Sequence, residues 1–138
     1  MKKVLKISLL SLTLCSSLVF AEDISKLDVK KECDVKANGI EKVIKTAEKY
    51  NSIAKEHKVE FMRFGMRASQ YIDATKESLR NGLDFIEIVD DKGKKTGEKM
   101  GIEFAATRSC SFAISALTQE LEAKTTWKLA SPSDGYKY

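Results

Sequence analysis

The chain has 138 residues, 43% of them apolar and 32% charged, with a formal net charge of +4. That length fits one domain or two small ones, and the apolar fraction excludes a disordered chain. One Pro and seven Gly exclude collagen-like and Pro-rich segments, and three Cys are too few for a disulfide-dense scaffold or a four-Cys zinc site.

Residues 1–21 read as a cleaved secretory signal. Lys2, Lys3 and Lys6 make a basic leader, Ile7 to Val19 carry no charge, and Val19 and Ala21 stand three and one residues before a cut ahead of acidic Glu22-Asp23. A spanning helix needs about 20 apolar residues, and the thirteen from Ile7 to Val19 fall short. Leu14 precedes Cys15 where a lipidated cysteine usually follows Gly, Ala or Ser, and the apolar run continues past it. Lipidation is therefore not expected. The mature protein is expected in the periplasm or secreted, without a membrane span.

Cleavage changes the charge argument. The leader holds three of the 24 basic residues and no acid, which leaves 21 basic against 20 acidic side chains. Residues 22–60 hold nine Lys against nine acids. A nucleic-acid footprint needs a clustered basic surplus, so no nucleic-acid partner is expected.

The mature chain keeps Cys33 and Cys110. An even count in an oxidising compartment favours a disulfide between them. Helical periodicity runs along the same chain. Ile40, Val43, Ile44, Ala47, Tyr50 and Ala54 share one face, with Asp34 or Asn38 available as an N-cap. A second series is Phe61, Gly65, Ala68, Ile72, Thr75, Leu79, Leu83 and Ile86; a third is Ile102, Ala105, Ala106, Cys110, Ala113, Ile114, Leu117 and Leu121. These predict helices over 34–56, 59–90 and 97–125 in an up-and-down three-helix bundle, with a tail over 126–138. At about 1.5 Å rise per residue, Cys110 falls within about 6 to 8 Å of the level of Cys33, so a bridge is feasible.

The segment 82–104 is ambiguous. Phe85-Ile86-Glu87-Ile88-Val89 and Met100-Gly101-Ile102-Glu103-Phe104 both alternate, which makes an α+β fold with a β-hairpin at about 84–104 the alternative. The stripe through Leu79, Leu83 and Ile86 favours helix, since Gly82 costs a helix only about 1 kcal/mol relative to Ala. On either reading, residues 90–99 are expected to form an exposed, mobile loop.

Motifs for chemistry are weak. His57, the only histidine, lies near Met62 and Met66 but inside a charged stretch, and the chain has no Cys-x-x-Cys-His. Lys occupies expected ligand positions of a calcium loop starting at Asp90 or Asp91. Gly93-Lys94-Lys95-Thr96 lacks the Gly that a phosphate loop needs four residues earlier. No Gly-x-Ser-x-Gly elbow occurs. Neither a catalytic residue, a metal site nor a cofactor is expected.

Aromatic and Arg residues outside the stripes offer a contact surface. Arg63 and Arg67 read as a basic i,i+4 pair on the second helix, beside Phe64 and Tyr71, and Trp127, Tyr136 and Tyr138 lie in or near the tail. Tyr, Trp and Arg are the types that dominate contact energetics. Arg63, Arg67, Tyr71 and Trp127 are therefore the candidate partner-binding residues. The expectation is an exported, non-catalytic helical binding protein that recognises another protein in an inhibitor, immunity or chaperone-like role. The alternative is a small-molecule or b-type haem carrier using the bundle interior.

Overall fold

The computed structural model describes residues 24–63 and 65–129, the last three by backbone alone. Residues 1–23, which include the expected leader, together with Phe64, the Trp127 side chain and residues 130–138 with Tyr136 and Tyr138, lie outside the described part. The structure is mainly helical, with two small antiparallel sheets.

Two aspartates begin two short helices near the start of the described chain. Asp28 accepts hydrogen bonds from the backbone N–H of Lys30 and Lys31 and starts α1 (Val29–Glu32). Asp34 does the same with Lys36 and Ala37 and starts α2 (Val35–Asn38). The helix expected over 34–56 is divided at Gly39, whose φ of 78° lies in a region that L side chains rarely adopt. Beyond it runs α3 (Ile40–Glu56). Asn38 does not cap α3; its amide donates back to the carbonyls of Lys31 and Asp34. The C-terminus of α3 closes with the Val59 N–H on the Ala54 carbonyl and the Lys58 N–H on that of Lys55. Lys58 takes the left-handed position with φ 61°, one that Gly usually fills.

The expected second helix over 59–90 is where sequence and structure part. Its first residues form β1 (Met62–Arg63) and β2 (Met66–Arg67), paired antiparallel around Gly65. Helix α4 (Ala68–Arg80) follows. It stops because Gly82, with φ 66°, lets its own N–H reach the Leu79 carbonyl and lets the Leu83 N–H reach that of Ser78. Past this terminator, β-branched Ile86, Ile88 and Val89 favour extended backbone. β3 (Phe85–Val89) pairs antiparallel with β4 (Lys95–Gly101) in the register Phe85 to Gly101, Ile86 to Met100 and Glu87 to Lys99. The hairpin alternative is thus the arrangement found. Residues 90–99 are a closed turn and the start of a strand: Asp90 Oδ1 accepts from the N–H of Lys92 at 3.0 Å and of Lys94 at 2.7 Å. Leu83, assigned to the second apolar stripe, is 42% exposed.

Helix α5 (Ile102–Leu129) leaves β4 directly, starting later than residue 97 and running beyond 125. It packs against α3 and α4. Ala47 and Ala54 of α3 and Ala106 and Ala113 of α5 are fully buried with Val43, Ile114 and Leu117; such small side chains let helix axes approach closely. Cys33, just after α1, bonds Cys110 of α5 with Cα atoms 5.6 Å apart, inside the same core. A second cluster of Met66, Tyr71, Ile86, Ile102 and Ala105 joins the hairpin to α4 and the start of α5. No helix among the described residues is long and apolar enough to cross a membrane.

Candidate interaction site

Helix α5 has two unlike faces. Its alanine face is sunk in the core, while Phe104, Arg108 and Phe112, spaced by one turn each, line another. The Arg108 guanidinium lies 4.9 Å from the Phe104 ring centre and 5.6 Å from that of Phe112, within cation–π range of both. Phe112 stacks on Phe61 at 4.8 Å and meets the Tyr71 ring edge-on at 5.9 Å. Phe61 leads into Met62 of β1. The result is a strip of ring and guanidinium contacts from Phe61 through Phe112 and Arg108 to Phe104. Phe104 at its outer end is 56% exposed, as is Met62 of β1.

The expected contact residues are distributed differently from the sequence reading. Arg63 and Arg67 are exposed, but they do not share a helix face. Met62 pairs with Arg67 and Arg63 with Met66, and because side chains alternate along a strand, the two arginines point to opposite faces of the β1–β2 pair. Tyr71 is fully buried and offers no outer surface to a protein. Trp127 falls on the backbone of α5, its side chain outside the described part. Phe104, Arg108 and Phe112 were missed. Their spacing of four lies within the helix expected over 97–125, but that reading followed only the core-facing series through Ala105, Ala106 and Cys110.

Beside the strip lies a cleft of about 420 Å³ between the hairpin and α5. Ile88, Val89 and Met100 give it apolar walls; Asp90, Asp91, Glu98 and Thr96 line it from the hairpin, and Tyr71 and Arg108 from the helices. The turn at Gly65 closes one side. A Cβ there would stand 3.4 Å from the Asp91 backbone nitrogen, so the two turns sit nearly in contact. The Tyr71 hydroxyl is buried without a hydrogen-bond partner, an arrangement that costs about 1–3 kcal/mol. The hairpin sorts its charges by face. Lys95 pairs with Glu87, and Lys99 covers the Phe85 ring at 4.0 Å, on the surface away from Glu98 and Thr96.

Two carboxylates elsewhere fasten the helices. Glu60 accepts from the Asn51 amide at 3.0 Å and from the Ser69 N–H at 2.9 Å, placing negative charge at the N-terminus of α4. Burial pushes its carboxyl up, but hydrogen bonds from Asn51 and Ser69, with the nearby Lys55 charge, outweigh this and hold it below the ordinary value. Glu120 likewise sits below its ordinary value: burial raises it, and hydrogen bonds from Lys124 and His57 lower it further than burial raises it. His57 Nδ1 lies 2.7 Å from Glu120 Oε2, which ties the end of α3 to α5 and engages the only imidazole of the chain.

Comparison with protein-family models, curated proteins and solved structures finds no match to this chain, so a functional reading rests on the chemistry of these surfaces.

Proposed function

We propose that this chain is an exported, non-catalytic binding protein that recognises another protein through the Phe104–Arg108 face of α5. The observation that carries the reading is Phe104 itself: a phenyl ring more than half exposed, held by a guanidinium that a second ring supports from behind. Aromatic and Arg side chains of this kind dominate protein contact energies, and preordered ones lose little entropy on binding. Export fits the Cys33–Cys110 bond, which persists in oxidising compartments, and the basic, apolar leader. An inhibitor, immunity or chaperone-like role belongs to this same reading. The carrier alternative draws no support from His57, which Glu120 holds at the surface end of α3.

The test is co-purification from the cells that make the protein. Phe104→Ala and Arg108→Ala should each release the partner that the wild type retains, while both variants keep the wild-type melting transition. Undiminished co-purification by the folded double variant would overturn the proposal.

A further inference from the structure

We infer that the cleft between the hairpin and α5 is a binding site for a small organic cation, an alkylammonium or guanidinium group on a short hydrocarbon stem. This goes beyond the protein-binding reading and shares only Arg108 with it.

Three features of the cleft lead to this ligand. First, its lining holds three carboxylates, Asp90, Asp91 and Glu98, against a single cation, Arg108. The guanidinium of Arg108 is itself stacked between Phe104 and Phe112. Second, the lysines of β4 that could balance those acids stand on the other face of the hairpin, one paired with Glu87 and one over Phe85. Third, the fully buried Tyr71 lines this same cleft, and its hydroxyl has no partner. A phenol oxygen can accept a hydrogen bond from an ammonium or guanidinium N–H, although the ionised carboxylates are the stronger acceptors. Buried polar groups in folded chains are otherwise almost always paired; this hydroxyl is sealed from water at the cleft floor, and a ligand donor that opens the floor to reach it would complete it.

The remaining walls set the rest of the ligand. Ile88, Val89 and Met100 favour methylene groups, and about 420 Å³ accommodates a chain of several carbons with its head group. A metal ion is a poorer match: among the described residues no three His, Cys, Asp or Glu side chains converge closely enough to hold one. Asp90 is already committed in part to the N–H groups of its own turn. Asp91 and Glu98 are therefore the carboxylates left to meet the cation, with Tyr71 beneath.

The test is a titration of the folded chain, followed by backbone amide NMR, with n-butylammonium, agmatine, butanol and butyrate as probes. Butylammonium and agmatine should saturate, with shifts confined to Gly65, Asp90, Asp91, Thr96 and Glu98; butanol and butyrate should bind at least about tenfold more weakly. Glu98→Gln and Asp91→Asn, both at exposed positions, should each weaken the amines several-fold and leave the fold intact. Tyr71→Phe should weaken them about tenfold while melting no lower than wild type, because it deletes an unpaired hydroxyl and keeps the ring. Equal binding of butanol or butyrate, shifts scattered over the surface, or unchanged amine affinity in all three variants would each overturn the inference. None of these results depends on Phe104, so a failure here is separable from a failure of the protein-binding face.

Discussion

Cys33 and Cys110 lie 77 positions apart in the chain, yet their Cα atoms stand 5.6 Å apart and both side chains are sealed in the core. The bond clamps the short α1–α2 region onto the first third of α5. Closing a loop of that length removes about 4.5 kcal/mol of unfolded-chain entropy in the loop-closure model. Domains of this size have a net stability of about 5–15 kcal/mol. Cys33→Ser or Cys110→Ser should lower Tm on the order of 20 °C, as read by circular dichroism. The same melting curve with and without reductant would contradict a structural role for the bond.

The end of α3 offers a gain in stability. Lys58 holds φ 61° in a position that closes the helix, and a Cβ there costs about 1 kcal/mol or more. Lys58→Gly should raise stability by about 1 kcal/mol in denaturant titration, while Gly82→Ala should lower it by a similar amount. Nothing lies within 4 Å of a Cβ built at Gly82, so the loss there is one of backbone conformation alone. A destabilised Lys58→Gly, or a Gly82→Ala without cost, would contradict these terminators.

Acid sensitivity should follow Glu60 and Glu120. Both carboxyls sit below their ordinary value of 4.5 in the folded chain. Their stabilising contribution is complete above the unfolded-state value and is lost as pH falls through the folded one. Stability should therefore be flat near neutrality in these two groups and decline from about pH 4.5 downward. Glu60→Gln should cost about 1 kcal/mol at pH 7, by weakening the hydrogen bonds from Asn51 and Ser69, and should flatten the acid decline. Urea titrations at several pH values measure both effects; an unaltered slope in Glu60→Gln would show that the group does not titrate with folding.

The two long apolar stripes were legible in the sequence. Val43, Ile44, Ala47 and Ala54 on α3, and Ala105, Ala106, Ala113, Ile114 and Leu117 on α5, are the buried faces their spacing implies. The cysteine pairing was legible too, because the expected loss of residues 1–21 would leave only two thiols. What failed was the middle. Asn81-Gly82-Leu83 is a helix terminator, and weighing Gly82 only as a mildly poor helix residue hid the hydrogen bonds that its positive φ makes possible. Carrying α4 through Gly82 left the hairpin only as the alternative and drew Leu83 inside; starting that helix at 59, where the β1–β2 pair lies, set Arg63 and Arg67 on one helical face that does not exist. The cleft could not be read at all, since it arises from two turns meeting at Gly65 and Asp91, a proximity that neither local stretch encodes.

The protein-binding face is tested most directly by a photo-cross-linking amino acid placed at residue 104 in the otherwise native chain, irradiated in the intact producing cell, with residue 122 as an exposed control on the same helix. The account predicts one discrete adduct from position 104 that is absent at position 122 and is lost when Arg108→Ala is added. No adduct at 104, or the same products from both positions, would contradict it.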